Sequence, residues 1–463
     1  MNLQNKKVLV VGSGKSGIGA VRMLGKLGAL PVLFDSNEKL DKEELLKKTG
    51  KIPGMEILLG SVPKERKKEF FLVVISPGVP VDAPWLSDYR ALNIPIWGEI
   101  ELAGAYAKGK VIGITGTNGK TTTTTLTGQI MAAYYESVYV VGNIGNPYTD
   151  IALDTREDTV TVAEISSFQL ETIHEFRPAV SAILNITPDH LNRHHTMERY
   201  VRTKEKIAKN QKKNDVCILN YEDAYTKDFG DRCPAEVVFF SSKRELPEGI
   251  FLKGEDIYLA EAGRKESRRL MNIHEMKLVG MCNVENVMAA IAISKAMGVP
   301  EDIILKTIRD FRAVEHRIEF VATKGGVDYY NDSKGTNPDA AIQGIRAMTK
   351  PTVLIGGGYD KESSYDEWIE AFEGKVKAFV LIGQTKEKIA ACARAHNVQN
   401  IIMADTFEEA FGICVSQAKP GDAVLLSPAC ASWWKRLEFS DCGGKTIWKQ
   451  SEKKRKGSAG VVF

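Results

Sequence analysis

The sequence predicts an α/β fold in three domains, each built on a mainly parallel β-sheet, and three observations predict it. Short apolar runs alternate with helical patterns along almost the whole chain, the order that gives a parallel sheet covered on both faces. The chain has 463 residues, more than the roughly 100–200 that one domain usually organises. Two glycine-bearing loops each follow an apolar strand and lead into a helix, the place where open α/β sheets receive ligands.

Taken in order, the first domain (residues 1–104) opens on KKVLVVG, continues through PVLFD and FFLVVISPG, and ends near IWGEIELAGAYAKG. The second (105–313) holds six strand candidates, KVIGITG, SVYVVGNIG, TVTVAEIS, AVSAILNIT, DVCILN and AEVVFFS, followed by the apolar helices NVENVMAAIAISKAMG and PEDIILKTIRDF. The third (314–463) carries TVLIGGG, AFVLIG, NIIMAD and DAVLLSPA, interleaved with the helical patterns TKEKIAACARAH and TFEEAFGICVSQA. No short-period repeat is present.

Composition narrows the function. Hydrophobic residues make up 43% and charged residues 26%, and the formal charge is only +3, so neither nucleic acid nor a membrane surface is implied as a partner. The seven cysteines, Cys217, Cys233, Cys282, Cys392, Cys414, Cys430 and Cys442, are scattered and never spaced CxxC. That pattern suggests neither a disulfide framework nor a zinc site, and a reducing cytoplasm fits it. The amino terminus runs straight into a strand, and no segment approaches the ~18 consecutive apolar residues of a membrane span. A cytoplasmic monomer is expected.

The loop GSGKSG places Gly12, Gly14 and Gly17 between a strand and a helix, with Asp35 at the end of the next strand. This is the spacing of a dinucleotide fingerprint: a tight turn, close approach of backbone to phosphate, and helix-start amides facing an anion. The same glycines could simply let a helix pack on a strand. On the ligand reading, the loop takes a nucleotide or its diphosphate.

The central loop TGTNGKTT, Thr115 to Thr122, also leaves a strand and enters a helix. Its amides and the positive helix end suit an oligophosphate, Lys120 can neutralise terminal phosphate charge, and the Thr121 hydroxyl can ligate magnesium. The strict pattern GxxxxGK[ST] needs glycine where Ile114 stands, so the loop is a GxxGKT variant. A nucleoside triphosphate is the expected ligand.

Neighbouring strand ends supply further candidates. Glu164 closes TVTVAE and can serve as a magnesium ligand, a helix cap or a solvated carboxylate. LNITPDHLNRHH offers Asp189, His190, His194 and His195; His190, directly after the proline turn, is the functional candidate, whereas His194 and His195 are expected to be solvated. Lys204 lies in ERYVRTKEKIAKNQKKND, whose basic residues read as a wet helix face, and nothing in the pattern separates it from Lys206 or Lys209.

With these residues in place, the chain resembles the Mur ligases, ATP-dependent enzymes that join an amino acid to a carboxylate on a UDP-linked cell-wall precursor. TGTNGKTT is similar to that family's phosphate loop. Within the family, NDSKGTN (Asn331 to Asn337) and LLSPACAS (Leu425 to Ser432) resemble the branch that adds D-glutamate, and the resemblance runs from about residue 5 to residue 432. It implies Rossmann-like first and third domains binding, respectively, the UDP precursor and the amino acid, with a central ATP-binding domain.

The resemblance also implies roles. Gly116, Thr117, Asn118, Gly119, Lys120, Thr121 and Thr122 would bind the ATP phosphates. Asn283 and Asn286 would lie on the adenine side, and Arg317 and Asp332 would contact ATP from the third domain. Two Mg2+ would be held by Thr121, Glu164, His190 and Lys204, the last as a carbamate; Lys120, His190 and Lys204 would be the catalytic set. UDP-N-acetylmuramoyl-L-alanine would meet Gly14, Asp35, Ser76, Pro77, Gly78 and Asn143, and D-glutamate would meet Lys334, Thr336, Lys361, Ser432 and Phe439. The first glycine loop would thus hold uridine diphosphate.

Two stretches depart from the family. Cys282 replaces the usual histidine before Asn283, and after Ser432 the chain reads WWKRLEFSDCGGKTIWKQSEKKRKGSAGVVF, with Trp434 where an aspartate is expected. That tail reads either as local divergence or as a shifted reading frame from about residue 433. Competing readings are a sister Mur or folylpolyglutamate ligase, a noncatalytic ATP- and UDP-sugar-binding protein, and, on the first loop alone, a dehydrogenase.

Overall fold

The computed structural model describes residues 1–314, 316–360 and 363–430, with the backbone of the strands Leu437–Cys442 and Lys445–Gln450. The chain forms two compact units. One comprises Met1–Lys277 with Asn283–Phe311, and the other Leu278–Cys282 with the chain from Arg312 onward.

The first unit contains two sheets. The amino-terminal one has five strands in the order Glu56–Leu59, Leu30–Asp35, Lys7–Val11, Leu72–Ile75 and Ile96–Gly98, all parallel. Both faces are covered, which is why its central strands are apolar without alternation. Val8, Val10 and Leu33 pack toward the helix Lys15–Lys26, while Leu9, Val11, Val32 and Phe34 pack with Leu86 and Tyr89. Each such side chain contributes about 1.5–3 kcal/mol by leaving water. The strand order reverses between Lys7–Val11 and Leu72–Ile75, so a switch-point crevice opens beyond Val11 and Ile75.

The second sheet has nine strands where the sequence predicts six. Their order is Arg268–Asn272, Asp256–Ala260, Gly249–Lys253, Glu236–Ser241, Val216–Asn220, Val180–Ile183, Lys110–Thr115, Val160–Glu164 and Val138–Gly142. The six expected strands are the parallel ones, and the added three form a meander that starts parallel on Glu236–Ser241 and then runs antiparallel. The meander is hard to read from sequence because GIFLK, DIYLA and RRLMN are short, and their first turn is only the Gly254–Glu255 pair.

Buried carboxylates join the two sheets. Glu101, in the helix Glu99–Gly104, accepts the backbone amides of His174, Glu175 and Phe176 at 2.9, 2.7 and 3.1 Å. Glu99 accepts the Thr149 amide at 2.6 Å and its hydroxyl at 2.9 Å. Arg193 pairs with Glu171 and donates to the Val79 carbonyl at 2.7 Å. The first 104 residues and the central sheet are therefore tied by hydrogen bonds that apolar burial protects.

The second unit holds a six-stranded sheet ordered Glu319–Lys324, Val327–Asn331, Ala423–Leu426, Thr352–Gly356, Val376–Leu381 and Ile401–Met403. The last four match the expected strands. The first two form a hairpin whose turn is Gly325–Gly326, at φ 60° and 76°. Both residues sit in the left-handed region that the tight primed turns require, which glycine reaches without strain. No helix among the described residues is long and apolar enough to cross a membrane.

Candidate active site

The switch-point crevice of the first sheet is a cavity of about 880 Å³, lined by Gly14, Asp35, Ser76, Pro77 and Gly78 together with Lys15. The glycines of GSGKSG divide the work. A Cβ on Gly17 would lie 1.8 Å from the Gly12 carbonyl oxygen, so this residue lets the helix Lys15–Lys26 approach the strand. Gly14, by contrast, has nothing within 4 Å on its Cβ side and faces the open crevice. The packing reading of the motif therefore accounts for Gly17, and Gly14 leaves open the space that the ligand reading needs.

Asp35 is fixed beside that loop, accepting the Ser13 hydroxyl at 2.6 Å, the Ser13 amide at 2.9 Å and the Asn37 amide at 3.0 Å. Partial burial pushes its carboxyl pKa up, but the Ser13 hydroxyl and the two amides outweigh burial and hold it below the ordinary value. It is an ionised acceptor at neutral pH. Lys15 donates to the Gly145 carbonyl at 3.3 Å, joining the crevice to the GNIG loop of the central sheet.

In the central sheet, Lys110–Thr115 lies between Val160–Glu164 and Val180–Ile183, so the three strand ends that carry candidate residues are adjacent. Gly119 caps the helix Lys120–Ala132 at φ 82°, and a Cβ there would lie 2.2 Å from Asn286 Oδ1. Glycine is thus required twice over, by conformation and by the approach of Asn286. Asn286 also accepts from Thr123 Oγ1 at 3.2 Å and donates to Asn283 Oδ1 at 3.1 Å. The loop is braced from its other side, where the amides of Thr117 and Asn118 reach the Asn185 backbone and side-chain oxygens at 2.9 and 2.8 Å.

Two lysines converge on one oxygen. Lys120 Nζ donates to the carbonyls of Gly116 and Thr117 at 2.7 Å each, and Lys204 Nζ donates to the same Gly116 carbonyl at 2.7 Å. Lys204 is 1% exposed, 4.7 Å from the Tyr200 ring. Burial first, and the Lys120 charge second, hold its pKa well below the ordinary lysine value against the opposing pull of Asp189 and Asp223. Lys204 is therefore no wet-face lysine. Lys206 donates to the Glu171 carbonyl at 3.1 Å, and Lys209 is exposed.

Glu164 is buried at the end of its strand, with Oε1 accepting from Asn143 Nδ2 at 2.8 Å and Oε2 lacking any hydrogen-bond partner. A buried carboxylate oxygen without a partner is costly, and a cation would satisfy it. His190 begins the helix Leu191–His194 in a left-handed conformation, φ 54°, with its ring 4.8 Å from Phe168. His194 departs from expectation. It is buried, bonded through Nε2 to Ser167 Oγ at 2.9 Å, and burial followed by the charges of His190 and Lys204 lowers its pKa to about 4, so it is neutral at pH 7. His195 is half exposed beside Asp82, at 3.2 Å.

Tyr200, Asn185 and Asp223 were not singled out as functional by the sequence reading. Tyr200 OH lies 3.1 Å from Thr117 Oγ1, and Asp223 Oδ2 accepts the Ile186 amide at 2.6 Å. Tyr200 carried a usable signal, because it stands four residues before Lys204 and shares its helix face.

In the second unit, Asp332 is buried at the end of Val327–Asn331, accepting Ser427 Oγ at 2.7 Å and the Ile318 amide at 3.2 Å. Burial raises its pKa to about 6, with the Arg317 charge opposing. Lys334 and Thr336 lie in the turn that follows, where the Thr336 amide meets the Lys334 carbonyl at 2.9 Å. Lys361, Ser432, Trp434 and the side chain of Phe439 lie outside the described residues.

A variant phosphate loop at the end of a parallel strand, a nucleotide-sized crevice at a switch point and a third α/β sheet define a multidomain nucleotide-binding protein of the α/β class. The chain belongs to the Mur ligase family. Models of the Mur ligase MurD-like N-terminal domain, the Mur ligase middle domain and the Mur ligase glutamate ligase domain match residues 6–98, 114–294 and 316–430. The UDP-N-acetylmuramoylalanine–D-glutamate ligase of Lachnospira eligens is 58% identical over 433 residues, covering 94% of this chain and 96% of the relative. The ligase of the same name from Lachnoclostridium phytofermentans is 54% identical over 443 residues, 96% and 97% of the two chains. Among solved structures, UDP-N-acetylmuramate–alanine ligase from Thermotoga maritima superposes with a TM-score of 0.58 at 19% identity, over 92% of this chain and 96% of that one. The MurF ligase from Thermotoga maritima in complex with ADP gives 0.57 at 16% identity, over 92% and 94%. These two share the architecture.

Proposed function

We propose that this Mur ligase joins the amine of D-glutamate to the L-alanyl carboxylate of UDP-N-acetylmuramoyl-L-alanine, converting ATP to ADP and phosphate, as a cytoplasmic monomer in peptidoglycan precursor synthesis. The names and near full-length coverage of the relatives support the substrates. The observation that carries the chemistry is the meeting of Lys120 and the buried Lys204 on the Gly116 carbonyl. The reading divides the chain into 1–104 for the UDP precursor, 105–313 for ATP and 314–463 for the amino acid.

A carboxylate is a poor acyl donor. The alanyl carboxylate oxygen first takes the γ-phosphoryl group of ATP, forming an acyl phosphate. The glutamate amine then adds to the acyl carbon, and the tetrahedral intermediate expels phosphate. The amides of Gly116 to Thr122 and the Lys120 ammonium cradle the phosphates and offset charge that grows on the transferring group. Holding both reactants in register contributes up to about 7–11 kcal/mol of the barrier. Asn283, Asn286, Arg317 and Asp332 bind the nucleotide, and Lys334, Thr336, Lys361, Ser432 and Phe439 receive glutamate. Gly14, Asp35, Ser76, Pro77, Gly78 and Asn143 hold the UDP precursor.

The unpartnered Glu164 oxygen fits a divalent cation. Glu164, Thr121, His190 and a carbamylated Lys204 are the residues that would hold two magnesium ions, which supply charge neutralisation at the phosphates. Addition of CO2 to Lys204 needs a free amine, and burial, by lowering the Lys204 pKa, favours that form.

The test is phosphate release from ATP with UDP-N-acetylmuramoyl-L-alanine, magnesium and bicarbonate. Release that requires D-glutamate, and that neither L-glutamate nor omission of the amino acid reproduces, is the expected result. Equal release in all three arms overturns the reading.

A further inference from the structure

Away from the strand ends, the second compact unit brings a different set of side chains together. Asp366 begins the helix Asp366–Glu370; Cys392 lies in the helix Lys386–Ala395, and His396 directly follows that helix. Cys392 and His396 are four residues apart, the spacing that puts two side chains on one helix face. Among the described residues, only Asp366, Cys392 and His396 bring three ligand atoms of the histidine, cysteine or carboxylate kind within 4.8 Å of one another. His396 Nε2 lies 3.0 Å from Asp366 Oδ1, and Cys392 Sγ lies 3.5 Å from the same oxygen.

We propose that these three side chains form a site for a borderline-soft divalent cation, zinc above all. Tetrahedral zinc, with bonds of about 2.0–2.3 Å, holds its ligand atoms roughly 3.3–3.7 Å apart, near the 3.0 and 3.5 Å by which His396 and Cys392 already approach Asp366 Oδ1. A thiolate, an imidazole and a carboxylate favour zinc over magnesium or calcium, which take oxygen ligands. The second ring nitrogen of His396 faces Glu370, Nδ1 to Oε1 at 4.0 Å, the outer carboxylate that commonly orients a ligating imidazole. Beneath the cluster, Tyr365, Trp368, Ile369, Ile389 and Ala393 are buried in one core and hold the two helices in register. Asp366 is exposed, so water can take the fourth position. On binding, the Cys392 S–H proton passes to solvent as the sulfur–metal bond forms. The cation then staples two short helices and acts independently of magnesium at the phosphate loop. A CxxxH pair completed by an aspartate 26 residues earlier escapes a search for CxxC.

Cobalt(II) titration of the full chain tests the site, after chelator treatment and in a phosphine reductant. A thiolate-to-cobalt charge-transfer band saturating at one equivalent, displaced by zinc and indifferent to excess magnesium, is expected. Cys392→Ser removes the band and His396→Ala weakens binding at least ~10-fold, while zinc raises the thermal midpoint of the unsubstituted chain only. Absence of the band in the unsubstituted chain overturns the site, as does an undiminished band in Cys392→Ser.

Discussion

Lys204 shows what single residues contribute and why sequence alone could not choose it. Helical spacing gives Lys204, Lys206 and Lys209 similar surroundings in the chain; docking under the phosphate loop buries only the first completely. The loop itself was legible, because strand, glycines, lysine and hydroxyl follow one another. Replacing Lys120 with Ala should lower single-turnover phosphate release at least about 100-fold, the scale of losing one charge-stabilising donor. Lys204→Met separates function from stability. The folded chain holds this amine's pKa below the ordinary value, so below pH 10.5 the unfolded chain binds more protons and the lysine opposes folding. Methionine removes that cost. Urea denaturation at pH 7 should show a gain of about 1–2 kcal/mol, shrinking as pH rises toward 10.5, while turnover falls at least ~100-fold.

At the scale of elements, the parallel strands were readable because burial on both faces makes them apolar runs, whereas edge elements were not. The hairpin around Gly325–Gly326 is the exception, since a two-glycine turn between strand-like segments is itself a hairpin signal. Glu99 is illegible for another reason: nothing in IWGEIELAG says that a glutamate at the start of a helix will be fully enclosed. Burial raises its pKa to about 7, despite the hydrogen bonds from Thr149. The folded chain therefore binds more protons than the unfolded chain between pH 4.5 and 7, so the stability Glu99 contributes is present below pH 4.5 and lost as pH rises through 7. Glu99→Gln keeps an oxygen for Thr149 and cannot ionise. Denaturation at pH 4.5 and pH 8 should show the variant gaining on the unsubstituted protein by roughly 3 kcal/mol across that interval.

For the whole molecule, three domains in sequence become two compact units. The three large sheets were legible; the tight union of the first two was not, because it rests on carboxylate-to-amide hydrogen bonds between residues some 50–75 positions apart. Calorimetry should resolve two unfolding transitions, one for each unit. The crevice proposed to hold the UDP precursor lies wholly in the first. UDP-N-acetylmuramoyl-L-alanine at a hundredfold excess over its dissociation constant should therefore stabilise that transition by about 2.7 kcal/mol and leave the other in place.

The same union bears on how such proteins can be recombined. A chimera that takes its first hundred residues from one parent and the central sheet from another cuts Glu99 and Glu101 from the amides at positions 149 and 174–176. Unless both parents share backbone geometry at those acceptor and donor sites, the graft leaves buried carboxyl oxygens without their donors. The interchangeable module of this fold is the pair of sheets, and breeding new specificities from old parts would succeed at the seam after Phe311 sooner than at the one near residue 104.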